Sequence, residues 1–123
     1  MSSLYAMLEA DFQHQDERGM LVQLVHQGWQ QVNVLHTLAG VERGGHFHAK
    51  TREAFYVISG SVRLRFNKDG EQEERTFLKG DFFCIMPGVV HSLSFAEDCL
   101  LVALYDVPVE QADGSMDIVP SEV

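Results

Sequence analysis

Between Ser61 and Asn67 apolar and polar residues alternate without interruption, with Val62, Leu64 and Phe66 on one face and Ser61, Arg63, Arg65 and Asn67 on the other. A period of two is that of a half-buried β-strand and has no helical equivalent. The Lys68-Asp69-Gly70 that follows supplies an Asp-Gly turn, which favours a tight hairpin into a second strand over Glu71 to Leu78. Further turns at Lys79-Gly80-Asp81 and Pro87-Gly88 lead into strands over Asp81 to Met86, Val90 to Phe95 and Cys99 to Asp106. Upstream, Met20 to His26, Gln31 to Leu38, Gly45 to Lys50 and Glu53 to Ser59 read as four more, and the single helix candidate is Leu4 to Ala10. Short strands spaced in this way, with turn residues between them, predict an all-β sandwich or jelly roll. Two prolines, Asp113-Gly114 and scattered acids after Val107 predict a loosely held arm.

With 123 residues, 46% of them hydrophobic, the chain can fill one core but not two. The expectation is therefore a single domain over 1–123, with a barrel over about 20–106, an N-terminal segment 1–19 and a C-terminal arm 107–123. The longest apolar run, Cys99 to Tyr105, is far short of the ~20 residues a membrane helix needs. The start of the chain lacks the basic and apolar blocks of a secretory signal, so a cytoplasmic protein without a membrane partner is expected. Eighteen acidic against nine basic residues, a net charge of -9, argue against nucleic acid as a partner. Six of the nine basic residues nonetheless fall between Arg43 and Lys68, which suits either a small anionic ligand or a solvated sheet face. Cys84 and Cys99 sit in apolar segments without CxxC spacing and read as inert core residues.

His46 and His48 lie two apart on one predicted strand, so alternation turns both imidazoles to the same side. Glu53 opens the next strand after a turn, sharing its face with Phe55 and Val57, and His91 shares its face with Leu93 and Phe95. Three imidazoles and a carboxylate converging inside a barrel suit one divalent transition metal, whether zinc, manganese, iron, nickel or copper. His14, His26 and His36 lack such spacing and read as hydrogen-bonded core residues.

Gly40, five residues, His46-x-His48, four residues, Glu53, six residues and Gly60 together resemble the first motif of the cupin superfamily. Gly80, five residues, Met86-Pro87-Gly88, two residues and His91 resemble the second, with Met86 where proline is usual and Phe95 where asparagine is usual. The resemblance implies a single-domain cupin jelly-roll β-barrel, also described as a double-stranded β-helix. Asp16-Glu17-Arg18-Gly19-Met20-Leu21, Val32-Asn33-Val34 and Gly40 to His46 further resemble the RmlC-like sugar-nucleotide cupins. These comprise the dTDP-4-keto-6-deoxyhexose epimerases and ketoisomerases and the cupin domain of capsular-polysaccharide enzymes. In that family the histidine at the place of His46 transfers protons, and the arginine at the place of Arg43 helps hold the anionic substrate. The chain departs from it in two places: Glu53 stands where many ketoisomerases lack a carboxylate, and His48 stands where the epimerases have glutamine.

Three functions follow. The first is an isomerase or epimerase of a nucleotide-linked 4-keto-6-deoxy sugar, with His46 as base, Arg43 on the pyrophosphate, and Phe55, Phe66, Leu93 and Phe95 as an apolar wall. The second is a metal-dependent oxygenase, lyase or decarboxylase of a small acid, in which His46, His48, Glu53 and His91 all bind the metal. The third is a non-catalytic ligand- or metal-binding cupin. Apolar strands near both ends, Met20 to Val25 and Cys99 to Tyr105, offer edges and faces that a symmetric partner could cover, and the resemblance to single-domain cupins implies a homodimer.

Overall fold

The computed structural model describes residues 2–122. Its strands are β1 (Tyr5–Met7), β2 (Phe12–Asp16), β3 (Gly19–Gln23), β4 (Gln31–Thr37), β5 (Glu42–Phe47), β6 (Glu53–Ser59), β7 (Ser61–Lys68), β8 (Glu71–Leu78), β9 (Phe82–Ile85), β10 (Val90–Ser94), β11 (Cys99–Tyr105) and β12 (Val119–Pro120). They form one five-stranded sheet in the order β1-β9-β6-β11-β4, a second in the order β12-β5-β10-β7-β8, and a separate β2-β3 hairpin. All pairings are antiparallel, and the two large sheets enclose the core as a cupin jelly roll.

The alternating segment behaves as its pattern requires. Val62, Leu64 and Phe66 of β7 are buried while Arg63 and Arg65 are exposed, and Arg63 pairs with Glu74 on β8. Asp69 and Gly70 both take positive φ, at 52° and 82°, the geometry of the two-residue turn whose twist matches a hairpin. Phe77 on β8 stacks on Phe83 on β9, with ring centroids 3.6 Å apart, and locks the two sheets together. A smaller apolar layer lies outside, where Leu24, Val25 and Trp29 pack over Ala54, Phe82, Cys84 and Leu104. Both cysteines are buried and free, as their apolar surroundings predict.

Three expectations need correction. Tyr5–Met7, inside the helix candidate Leu4 to Ala10, is strand β1, paired with β9. Leu4 is buried in the core, so tertiary burial and sheet pairing override weak local helix preference. The C-terminal arm is not loosely held: Val109 and Asp117 are buried, and Val119 and Pro120 pair with Phe47 and His46. Finally, Cys99–Tyr105 offers no edge, because β11 is paired on one side with β4 and on the other with β6. The edge on that side of the sheet is β4, which carries Val32 and Val34 outward at 61% and 68% exposure, and β1 is the opposite edge.

Candidate functional site

Three strands bring four side chains to one end of the barrel. β5 ends at Phe47 and brings His46 and His48, Glu53 opens β6, and His91 lies near the start of β10. The potential ligand atoms of these four side chains all lie within 4.8 Å of one another. The structure thus brings together the whole set expected from spacing. His48, Glu53 and His91 are buried, and His46 is half-buried beside them.

Glycine makes this arrangement possible. β10 runs past β5 with His91 opposite His46 but Ser92 opposite Gly44, leaving Gly45 as the extra residue of a β-bulge. Gly44 has φ of 90°, and a Cβ there would stand 2.8 Å from the carbonyl oxygen of His91. The bulge also resets the alternation. Residues three apart on a regular strand face opposite sides, yet Arg43, opposite Leu93, and His46, opposite His91, both face inward.

The hydrogen bonds settle which nitrogens are available. His48 Nδ1 lies 2.7 Å from the carbonyl oxygen of Asp117, and His91 Nδ1 lies 3.0 Å from that of Val89. A carbonyl can only accept, so both Nδ1 atoms carry the proton and donate. In a neutral ring the Nε2 atom is then a bare lone pair. Those two Nε2 atoms stand 3.3 Å and 3.2 Å from the same Glu53 Oε1. Lone pairs facing a carboxylate oxygen repel unless a cation or a proton lies among them. Ligands about 2.1 Å from a tetrahedral ion stand roughly 3.4 Å apart, so these separations, and the backbone carbonyls behind both rings, fit a divalent metal held by His48, Glu53 and His91.

Without a metal, protons take up part of that role. Burial opposes charge on His48, but the hydrogen bond and charge of Glu53 outweigh it and raise its pKa. Glu53 moves the opposite way: its burial is overcome by His48 and His91, which hold it well below the usual carboxylate range. His46 has no such partner. Burial, with His91 and His48 adding repulsion, pushes it down to about 4, so it is neutral at physiological pH. Tyr105, opposite Glu53 on β11, is held above its ordinary value by burial and by the Glu53 charge, and stays protonated.

These groups line a cavity of about 260 Å³. Arg43 and Phe55 line it, as expected, and Arg43 Nε donates to Thr37 Oγ1 at 2.8 Å, which anchors the guanidinium beside the cavity. Phe66 and Phe95 do not line it and belong to the core. Phe66 stacks on Tyr5 at 4.9 Å, so it is covered by the opposite sheet. His14 and His26 are exposed beside Asp16 and Asp11 instead of buried, and His36 is exposed on β4.

Sequence spacing missed Gln31 and Asn33 on β4, Tyr105, and Met116 and Ile118 of the C-terminal segment, all of which line the cavity. β4 is inverted relative to an ordinary half-buried strand: Gln31, Asn33 and Leu35 face the cavity while Val32 and Val34 face out. Gln-x-Asn between valines was the available signal, since polar residues on the inner face of a strand need a polar cavity to face. Met116 and Ile118 had no local signal, because their place depends on how the arm folds back.

No helix among the described residues is long and apolar enough to cross a membrane. No curated protein matches the chain by sequence. Among solved structures, it is similar to a mutant of the 3,4-ketoisomerase QdtA from Thermoanaerobacterium thermosaccharolyticum in complex with TDP-4-keto-6-deoxyglucose. That match has a TM-score of 0.80 at 19% identity, covering 97% of this chain and 88% of the other. The WlaRB TDP-quinovose 3,4-ketoisomerase from Campylobacter jejuni gives 0.79 at 18% identity, covering 94% of each chain. The dTDP-4-dehydrorhamnose 3,5-epimerase from Sulfolobus tokodaii gives 0.65 at 17% identity, covering 76% of this chain and 65% of that one. These likenesses confirm the RmlC-like cupin fold. The model of the polysaccharide biosynthesis C-terminal domain family matches residues 14–106, most of the barrel and its site, and the chain belongs to that family.

Proposed function

We propose that the protein is a metal-binding isomerase or epimerase of a nucleotide-linked 4-keto-6-deoxy sugar. The observation that carries this reading is His46: neutral, half-buried on the cavity, and beside a His48, Glu53, His91 donor set that does not need it to complete three ligands. The named activities of the structural neighbours support it at the level of the fold.

The chemistry is an enolisation. His46 takes a proton from the carbon next to the sugar carbonyl, and the electron pair moves to the carbonyl oxygen. In a ketoisomerase the proton is delivered to the former carbonyl carbon while the hydroxyl proton of the neighbouring carbon passes to the oxyanion, so that the carbonyl moves by one carbon. In an epimerase a second donor protonates the opposite face of the same carbon and His46 releases its proton to solvent. A metal ion on His48, Glu53 and His91 would supply positive charge against the developing oxyanion. The protonated Tyr105 stands next to Glu53 as a donor on that side of the cavity. Arg43 at the mouth takes the pyrophosphate, as a cation near an anionic ligand should. Phe55 and Leu93 form the apolar side of the cavity and exclude water.

The test is exchange of a carbon-bound sugar hydrogen with solvent deuterium, using a panel of dTDP- and UDP-linked 4-keto-6-deoxyhexoses. His46→Ala should retain one metal per chain and lose exchange by ~10² or more. Wild-type protein that neither binds nor exchanges any member of the panel overturns the reading. One observation favours a second: the His46 ring lies 4.9 Å and 4.8 Å from those of His48 and His91, close enough to be a fourth ligand. Loss of metal from His46→Ala would select that arrangement and the small-acid metalloenzyme. We also propose a homodimer, supported by the exposed valines of the unpaired β4 edge.

A further inference from the structure

The segment after β11 turns back over the site and buries one charged side chain there. Asp117 is 8% exposed. Its carboxylate accepts hydrogen bonds from three successive main-chain amides, Ala49 on Oδ1 and Lys50 and Thr51 on Oδ2, each at 2.9 Å. Its carbonyl oxygen accepts the Nδ1 proton of His48 at 2.7 Å. A single residue therefore holds both an imidazole of the donor set and the turn that leads from it to Glu53. The segment is itself anchored: the Asp117 amide donates to the Val109 carbonyl at 2.8 Å, and that of Ser121 to Gly45 at 2.9 Å.

We propose that Asp117 is a positioning residue for the metal centre, and that docking of the C-terminal segment and metal binding are coupled through it. This rests on the reading of His48, Glu53 and His91 as metal ligands. An imidazole free to turn about its Cβ–Cγ bond presents Nε2 to the centre only part of the time. With Nδ1 tied to a carbonyl and the following turn tied to a carboxylate, its tautomer and direction are set before the ion arrives. Outer partners of this kind typically contribute 10- to 100-fold in metal affinity. Coupling is reciprocal, so if the docked segment strengthens metal binding by some factor, metal must favour docking by the same factor. Met116 and Ile118, on either side of Asp117, line the cavity, so docking also completes the wall against which a ligand would rest.

The experiment uses the full chain as wild type, Asp117→Asn and Asp117→Ala, with Phe77→Leu as a control that loosens the core away from the cavity. Zinc affinity is measured at pH 7 by competition with a chromogenic chelator. Hydrogen exchange at the amides of Ala49, Lys50 and Thr51 is followed with and without zinc. The expected result is a loss of roughly 10- to 100-fold in zinc affinity for Asp117→Ala, a smaller loss for Asp117→Asn, and little change for Phe77→Leu. In wild type, zinc should slow exchange at the three amides, and this measurement decides the matter even if Asp117→Ala fails to fold. Zinc binding in Asp117→Ala within about threefold of wild type, equal losses in Phe77→Leu, or no zinc protection of the three amides overturns the inference while leaving the metal centre intact. Wild-type protein that binds no zinc overturns both.

Discussion

Acid should strip the centre of metal at a higher pH than an ordinary histidine site would allow, and the structure supplies the sign and a lower bound. In the metal-free protein His48 lies 3.3 Å from Glu53, and that partner, against the cost of burial, raises its pKa above the ordinary 6.5. A metal arriving at Nε2 must displace that proton. Each pH unit below the raised pKa therefore weakens binding about tenfold, or ~1.4 kcal/mol. Between pH 6.5 and 5, His48 alone costs at least roughly 16-fold, rising towards a limit of about 30-fold as its pKa rises. His46, pushed down to about 4, stays neutral over that range and adds nothing to the slope. Raising the pH empties the site of protons and favours the metal, so the dependence has one sign throughout. Zinc titrations by calorimetry in buffers of different ionisation heat read both affinity and proton release. At pH 6 at least about half a proton should leave per zinc bound. Affinity that changes less than about threefold from pH 6.5 to 5, with no protons released, would refute the assignment of His48 Nε2 as a ligand.

Other expectations follow from the same geometry. The His48→Ala, His91→Ala double variant should bind no stoichiometric metal, and zinc at 100 times its dissociation constant, which should stabilise wild type by about 2.7 kcal/mol in a denaturant titration, should leave the double variant unchanged. Arg43→Ala should raise the dissociation constant of a dTDP-linked keto-sugar and leave zinc affinity alone, as read by paired titrations. Phe77→Ala removes a fully buried ring stacked on Phe83 and should cost ~3–5 kcal/mol in unfolding free energy. Light scattering should return twice the chain mass of 13.9 kDa, about 28 kDa, and Val34→Lys on the β4 edge should shift it towards the monomer.

Much of the fold was legible locally. A strand is a short-range pattern, and the alternation over β7, the Asp69-Gly70 turn and the bounds of β6 and β8 could be read residue by residue. So could the three histidines and the glutamate, since the spacing of His46, His48 and Glu53 is a local property of one strand, one turn and the next strand. The helix expected over Leu4 to Ala10 went astray for the complementary reason: Tyr5–Met7 becomes a strand only because β9 is there to pair with it. Alternation places Phe66 on an inward face, but inward in a two-sheet barrel can mean core or cavity, and Tyr5 from the other sheet decides for core.

Periodicity and residue chemistry are local properties, and they suffice for an all-β chain, its turns, and one set of side chains with the spacing and chemistry of metal ligands. Which of those side chains face one another, and what stands behind them, depends on contacts made only once the chain has folded. The bulge at Gly45 turns Arg43 to the same side as His46 against the rule of alternation. Asp117, 69 residues beyond His48, supplies the carbonyl that sets its tautomer. Neither is encoded in a window of neighbours, because both arise where backbone groups distant along the chain must satisfy each other's hydrogen bonds once the barrel has closed.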